Sequence, residues 1–207
     1  MHGKASIVAE ALINSGALKF GRFKLKSGVV SPYYIDLSWL LSSPEEFSRI
    51  VDLVAEEIRQ IRSKRRIDKL ASIELKGALI LPAVACKLKM PCIIVRKERK
   101  SYGVRGRIAG GVIEAENRFV FFDDVVTSGE SKIEGIRPIE EAGGRIEAIL
   151  VVVDREQGGK EELEQRGYHV ASVATISEII SSLLRDERIP RSKAEEILEY
   201  VRRQRQD

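Results

Sequence analysis

Apolar and polar residues alternate along the chain in blocks that predict strands and helices in turn. Near-continuous apolar runs bounded by turn residues are typical of strands buried on both faces of a sheet. Such runs predict strands at 67–73, 92–96, 119–122, 145–153 and 168–173. Apolar residues at helical spacing predict helices at 78–87, 130–142, 160–166 and 175–184. Strands that alternate with helices through short turns indicate an α/β protein with a parallel central sheet flanked by helices.

The two ends of the chain follow other patterns. Helical spacing predicts a first helix over 5–15 and a second over 43–61, and a charged amphipathic helix over 192–204. Between the first two helices, apolar residues alternate with lysines up to a turn at Ser27-Gly28, and Tyr33-Tyr34-Ile35 beyond it is rich in β-forming residues. This pattern predicts a hairpin.

The stretch from Arg118 to Ser131 contains the clearest set of candidate functional residues. Four apolar residues lead to the adjacent carboxylates Asp123 and Asp124, and then to Thr127-Ser128-Gly129, where helical spacing begins. Hydroxyl and glycine residues at a strand-to-helix turn can surround a phosphate with backbone N–H groups, and the helix dipole favours the same anion. Carboxylates at this position can hold sugar hydroxyls or the water shell of Mg²⁺.

These features together predict a site for a phosphorylated sugar. The alternative interpretation is an ordinary buried strand followed by a hydroxyl N-cap.

A cationic segment follows the strand at 92–96. Residues 96–111 are rich in lysine, arginine and glycine and show no sustained periodicity, so we expect a mobile loop. Clustered cations on a glycine-hinged segment are what a lid over a polyphosphate needs, whereas the alternative is a solvated surface loop. In the predicted hairpin, Lys26 with Tyr34 nearby can close over a flat anionic ligand, although solvated lysines on a capping hairpin give the same pattern.

Every candidate turn follows the end of a predicted strand. The turns lie at 74–77, 96–100, 123–131 and 154–156. Because ligands of open α/β sheets bind at the carboxyl ends of the strands, we expect these turns to form one site.

Composition narrows the function classes. The chain of 207 residues is 43% hydrophobic and 32% charged, which is typical of a globular domain with one sizeable core. No apolar run approaches the roughly 20 residues that span a bilayer, and the N-terminus lacks a signal-peptide core, so we expect a cytoplasmic protein. Two cysteines and two histidines are too few for a disulfide framework or a zinc site. A net charge of +4 fits an anionic small substrate or weak nucleic-acid contact.

Four motifs, taken in order over about residues 12–185, resemble the orotate phosphoribosyltransferases. The stretch F-F-D-D-V-V-T-S-G-E-S resembles the phosphoribosyl-pyrophosphate (PRPP) loop of type I phosphoribosyltransferases. F-G-R-F-K-L-K-S-G-V-V-S-P-Y-Y resembles the N-terminal hairpin of the orotate enzymes, and V-R-K-E-R-K-S-Y-G resembles their hood loop. V-V-V-D-R-E-Q-G-G resembles their substrate-binding strand end.

The resemblance implies the type I phosphoribosyltransferase fold, with an N-terminal hairpin hood and a mobile lid loop. We accordingly expect a single domain over 1–185, with the helix and hairpin hood in 1–40, and a C-terminal helical extension over 186–207. The implied enzyme is a pentosyltransferase that forms orotidine 5′-monophosphate and pyrophosphate from orotate and PRPP in pyrimidine (UMP) biosynthesis. It implies Mg²⁺ held mainly through PRPP and a homodimer that shares the lid across its interface, with no nucleic-acid or membrane partner.

The resemblance also implies roles for single residues. Lys100 would reach the leaving group from the lid, and Asp123 and Asp124 would hold the ribose, so these three are the candidate catalytic residues. Arg155 would pair with the carboxylate of orotate. The remaining candidate substrate-binding residues lie on the hairpin, the turn at 74–77, the lid and the PRPP loop: Lys26, Tyr34, Ile35, Leu75, Lys76, Arg96, Lys97, Tyr102, Val125, Val126, Thr127, Ser128, Gly129, Glu130 and Ser131.

Three positions depart from the family pattern. Tyr102 stands where many relatives have histidine, and Glu130 where a small or hydroxyl residue is usual, so the Glu130 carboxylate must turn away from a bound phosphate. Glu74 beside a pyrophosphate needs a cation. Two alternatives therefore stay open: a phosphoribosyltransferase for another base, against which the hairpin and Arg155 argue, and a PRPP-binding regulator without turnover.

The lid lysine gives the first testable prediction. Replacing Lys100 with alanine should raise the barrier by about 2.7–4 kcal/mol, as removal of an oxyanion-hole donor does elsewhere, because a cation that stabilises the leaving pyrophosphate is lost. The melting temperature should stay close to that of the parent protein. Steady-state kinetics and thermal melting, with Lys64→Ala from the charged run at 62–66 as control, check this. Near-normal turnover would remove Lys100 from the mechanism.

Overall fold

Within the residues that the structure describes, six strands form a central sheet and helices cover both of its faces. The structure is a computed structural model and describes residues 3–24, 28–100 and 106–205. The strands are β1 (Leu18–Lys24), β2 (Val30–Ile35), β3 (Lys69–Ile73), β4 (Cys92–Lys100), β5 (Gly106–Ala109), β6 (Arg118–Val126), β7 (Arg145–Asp154) and β8 (Val170–Thr175). The helices are α1 (Lys4–Asn14), α2 (Pro44–Arg62), α3 (Lys76–Leu88), α4 (Glu130–Glu141), α5 (Gly159–Gln165), α6 (Ile176–Arg185) and α7 (Arg191–Gln204).

The central sheet has the strand order β5-β4-β3-β6-β7-β8. All pairs are parallel except β4–β5, so the sheet is parallel with one antiparallel edge strand. The predicted α/β architecture is confirmed, and each strand expected from the hydrophobic pattern is present. A short 3-10 helix over Leu37–Ser42, which the pattern did not predict, joins the hairpin to α2.

The apolar run in β6 is continuous because both faces of the sheet are covered. Phe119 and Phe121 point to one face and pack in the cluster that contains Ile136 and Ile139 of α4. Val120 and Phe122 alternate to the other face, into the larger cluster that contains residues of α1, α2, α3, α6 and α7. Each of the four β6 residues is fully buried.

The N-terminal hairpin is confirmed as a separate antiparallel pair of β1 and β2, in which Leu18 lies opposite Ile35. Tyr33 and Ile35 are buried, whereas the ring of Tyr34 is partly exposed and packs against Phe23 at a centroid distance of 5.6 Å. The predicted turn residue Ser27 lies outside the described residues. Helix α7 contacts β2 and buries Ala194, Ile197 and Val201 in the larger cluster.

The segment expected to be a loop from residue 96 is mostly strand. Strand β4 continues to Lys100, and β5 pairs with it, with Ile94 opposite Ala109 and Lys100 opposite Gly106. The prediction was wrong because charged side chains are common on edge strands, where pairing uses only the backbone groups. The part of the expected lid at 101–105 lies outside the described residues.

One further boundary differs from the predicted one. Strand β6 does not end before the acidic pair but continues to Val126, because Asp123 pairs opposite Val151 and Val126 opposite Asp154 on β7. Helix α4 ends at Glu141, close to its predicted end at 142, and contains Pro138. Among the described residues, none of the helices is both long and apolar enough to cross a membrane.

Candidate active site

The carboxyl ends of β3, β6 and β7 lie side by side at one edge of the sheet. The register that places Val126 opposite Asp154 also lets the backbone N–H of Arg155 donate to the Val126 carbonyl, at 3.1 Å. The ammonium group of Lys76 and the carboxylate of Asp124 interact electrostatically across the same edge. The structure thus brings together three of the four predicted turns, those at 74–77, 123–131 and 154–156, whereas 96–100 belongs to strand β4.

The PRPP-like loop connects β6 to α4. Gly129, the residue before α4, has φ of 82°, a left-handed conformation that favours glycine. Ser128, Glu130 and Ser131 are exposed, and Thr127 is partly buried. The first amides of a helix have no acceptor within the helix, so the loop offers N–H donors to an anion, as a phosphate site requires.

The two carboxylates of the motif are buried with a lysine. Asp123 and Asp124 are 5% and 7% exposed, and the Asp124 N–H donates to Asp123 Oδ1 at 2.9 Å. The ammonium nitrogen of Lys132 lies 2.7 Å from Asp123 Oδ2, and its side chain is 4% exposed. It also donates to the Val125 carbonyl and, at 3.2 Å, to the Ser131 hydroxyl. Lys132 therefore ties the end of β6 to the start of α4.

Sequence reasoning missed Lys132. Its first-turn position in α4 is electrostatically unfavourable for a cation, because the N-terminus of a helix carries partial positive charge. That conflict, directly after two carboxylates and a phosphate-type loop, is the signal that could have identified a buried role.

The acidic pair does not carry its full charge at neutral pH. Burial, and after it the negative charge of Asp123, raise the pKa of Asp124 to about 7, against the opposing effect of Lys132 and Lys76. Asp124 is therefore partly protonated near neutral pH, and it can donate as well as accept a hydrogen bond toward a sugar hydroxyl.

Lys76 connects the acidic pair to the segment after the hairpin. Its ammonium nitrogen lies 3.2 Å from Asp36 Oδ1 and 5.9 Å from the centroid of the Tyr34 ring. Burial disfavours its charge, but the hydrogen bond to Asp36 and the charge of Asp124 outweigh burial, so the pKa of Lys76 is raised. Lys76 stays charged, which suits contact with a polyphosphate.

The turn that precedes Lys76 is exposed toward the same edge. The Glu74–Leu75 peptide bond is cis, and Leu75 is 63% exposed. The Glu74 carboxylate accepts a hydrogen bond from the Lys97 backbone N–H at 3.3 Å, which directs it to β4.

Arg155 is buried beneath the hairpin. It is 7% exposed, its Nε donates to the Tyr33 hydroxyl at 3.2 Å, and its guanidinium carbon lies 4.8 Å from the centroid of the Tyr33 ring. Among the described residues, its buried Nη2 atom has no hydrogen-bond acceptor. A buried charged donor without a partner is costly, and a ligand carboxylate is a partner of the right charge and shape.

Several predicted site residues are not brought to this cluster. Arg96 Nη1 donates to the Gly106 carbonyl at 3.4 Å within the β4–β5 pair, and Lys97 is exposed there. Ile35 is buried in the core, so only its backbone can face a ligand. Lys26, Tyr102 and the side chain of Lys100 lie outside the described residues.

Glu130, the residue that departs most from the family pattern, lines a cavity of about 460 Å³ between α4 and α5. Ser128 and Gly129 of the same loop also line it, as do Arg137 and Arg166. Asp123, Asp124, Lys76 and Arg155 do not line this cavity.

Comparison with known proteins identifies the family. No protein-family model matches the chain. An orotate phosphoribosyltransferase from Pyrococcus abyssi is 33% identical over 175 residues, which cover 84% of this chain and 94% of that protein. One from Sulfolobus acidocaldarius is 33% identical over 93% of this chain and 94% of that protein, and one from Methanopyrus kandleri is 37% identical over 83% and 90%. The chain belongs to the orotate phosphoribosyltransferase family.

Solved structures agree with this assignment. The orotate phosphoribosyltransferase from Aeropyrum pernix superposes with a TM-score of 0.75 at 32% identity, over 85% of this chain and 97% of that chain. UMP synthase from Leishmania donovani superposes with a TM-score of 0.86 at 28% identity, over 97% of this chain and 43% of that longer chain. The family and the type I phosphoribosyltransferase fold predicted from the motifs are confirmed, whereas the roles of single residues stay predictions.

The raised pKa of Asp124 predicts a pH dependence of stability. Because the folded-state pKa lies above the unfolded value, the folded protein binds the extra proton and gains stability that is fully present below about pH 4. This contribution is lost as the pH rises through about 7. Urea denaturation across this range should show the loss in the parent protein and a flatter profile in Asp124→Asn. The exposed Asp52→Asn is the control, and an unchanged profile in Asp124→Asn would contradict the assignment.

Removing the buried cation should destabilise the loop. Lys132→Met leaves Asp123 buried without its partner, so we expect a loss of about 3–5 kcal/mol in the free energy of unfolding. Urea denaturation measures this loss, with Lys160→Met, whose partner Glu164 is exposed, as control. A loss below about 1 kcal/mol, as for surface pairs, would show that the ion pair is not buried in solution.

Proposed function

We propose that the protein is an orotate phosphoribosyltransferase, which forms orotidine 5′-monophosphate and pyrophosphate from orotate and PRPP in pyrimidine biosynthesis. The observation that carries the proposal is the buried Arg155, whose Nη2 lacks an acceptor among the described residues, at the sheet edge that also holds Asp123 and Asp124. A base that carries a carboxylate explains a buried arginine at this place. Family membership supports the same reaction.

Each substrate group has a counterpart at the sheet edge. The loop at 127–131 provides amides for the 5′-phosphate, and Asp123 and Asp124 provide acceptors for the ribose hydroxyls. Lys76 and the exposed turn before it suit the pyrophosphate. Orotate would lie between the hairpin, at Tyr34, and Arg155.

The reaction breaks the bond between the anomeric carbon and pyrophosphate and forms a bond from that carbon to the ring nitrogen of orotate, with inversion. The nucleobase ionises easily, so the main barrier is separation of pyrophosphate from a cation-like ribosyl centre. Lys76 at the turn and Lys100 on the predicted lid provide fixed positive charge for the leaving group. Lid closure would exclude water from the ribosyl centre.

The residues at the edge fit a magnesium ion that PRPP brings with it. Mg²⁺ prefers oxygen ligands and keeps several waters, and Asp124 provides a carboxylate beside the position proposed for pyrophosphate. When bound, the ion would add positive charge to the leaving group. The proposal also includes a cytoplasmic location and a homodimer with a shared lid, of which the homodimer rests on the family resemblance.

A direct assay tests the proposed reaction. With PRPP and Mg²⁺ present, the protein should consume orotate, measured as loss of its ultraviolet absorbance, and release pyrophosphate. Uracil, which lacks the carboxylate, and adenine should react far more slowly, and Arg155→Ala should lose most of the preference for orotate over uracil. PRPP binding without consumption of any base would instead favour the regulator, and faster use of another base would favour a different specificity.

A further inference from the structure

The C-terminal helix α7 reaches the arginine site from the side of the hairpin. Tyr200 on α7 packs edge to face against Tyr33 of β2, with ring centroids 6.1 Å apart and an interplanar angle of 83°. The hydroxyl of Tyr33 is the acceptor for Arg155 Nε. Tyr33 therefore contacts both Tyr200 of α7 and the guanidinium group of Arg155.

A second contact connects the end of α7 to the residue after Arg155. Arg205 forms an ion pair with the buried carboxylate of Glu156, whose other oxygen accepts from the Ser177 N–H at 2.9 Å. The Glu156 N–H donates to Asp154 Oδ1 at 2.7 Å. Glu156 has φ of 57°, a left-handed conformation that is uncommon outside glycine and needs such support.

These contacts hold Arg155 in place through Tyr33, which its side chain contacts, and through Glu156, which follows it in the chain. Tyr33 fixes the plane against which the guanidinium lies, and Glu156 fixes the backbone next to it. Among the described residues, the buried side-chain atoms that lack a hydrogen-bond partner are Arg155 Nη2 and the Tyr200 hydroxyl, and both belong to this cluster. The unpartnered Arg155 Nη2 is the donor that these contacts leave free for a ligand.

We propose that α7 is a positioning element of the base site: Tyr200 and Arg205 hold Tyr33 and Glu156 so that Arg155 points its free donor at the carboxylate of the base. The inference rests on the proposed function. It gives the C-terminal helix a role in selecting a carboxylate-bearing base, in addition to its packing in the core.

The proposal predicts an effect on one substrate only. Tyr200→Ala removes the ring behind Tyr33, so Arg155 gains alternative orientations, and the KM for orotate should rise about tenfold, the upper part of the range for an aromatic pair. The KM for PRPP should stay within about twofold, because the main contacts of α7 in the described structure are with α6 and β2. The ratio of kcat/KM for orotate to that for uracil should fall by the same factor as the orotate KM rises.

Two further variants distinguish a positioning role of α7 from a packing role. Tyr200→Phe keeps the ring contact and should keep the orotate KM within about twofold of the parent value. Arg205→Ala, at a side chain that is 55% exposed and so tolerant of change, should raise the orotate KM about fivefold. Arg203→Ala is its matched control, because Arg203 pairs only with Glu199 of its own helix among the described residues and should leave both KM values unchanged.

The outcomes are distinguishable. A parallel rise in both KM values, a fall in kcat alone, or a Tyr200→Phe variant that behaves like Tyr200→Ala would overturn the positioning role. If Tyr200→Ala does not fold, an orotate KM in Arg205→Ala equal to that in Arg203→Ala would overturn it equally. A parent protein that does not consume orotate would refute the proposed function, and the inference with it, before any variant is compared.

Discussion

The ion pair between Lys132 and Asp123 is the interaction on which the sugar-phosphate side of the site depends. Two adjacent carboxylates at the end of a strand buried on both faces would be unstable in an apolar sheet without a compensating charge. Lys132 supplies that charge from the first turn of α4, and it holds the Val125 carbonyl and the Ser131 hydroxyl as well. The same side chain thus neutralises one acid and fixes the loop that should receive the phosphate.

The pairing of the strands places the other residues of the site. Because β6 and β7 are parallel and in register, their ends bring Asp124 and Arg155, which are far apart in the sequence, to one edge. The two groups then have different electrostatic surroundings. Asp124 lies beside another acid and has a pKa of about 7, whereas Arg155 lies against Tyr33 with a donor left for a ligand. One half of the site therefore suits sugar hydroxyls and the other a carboxylate.

Much of this could be predicted from the sequence. Continuous apolar runs and helical spacing gave the order of strands and helices, and the acids, hydroxyls and glycine of the PRPP loop gave the family. Local patterns failed in three places. The strand at 96–100 and its partner at 106–109 were not predicted, because the charged side chains there indicate solvent exposure and give no sign of strand pairing. The helical spacing of α4 does not indicate that Lys132 is buried beside Asp123, and nothing near Tyr200 in the sequence indicates that its ring packs on Tyr33 of the hairpin.

The proposed function assigns recognition of the base carboxylate to Arg155. A crystal structure of the protein with orotidine 5′-monophosphate tests this most directly. The account predicts that Arg155 Nη2 lies about 2.7–2.9 Å from a carboxylate oxygen of the base, while the 5′-phosphate accepts from the amides of 127–131. A base carboxylate bound elsewhere, with Arg155 still lacking an acceptor at Nη2, would contradict it.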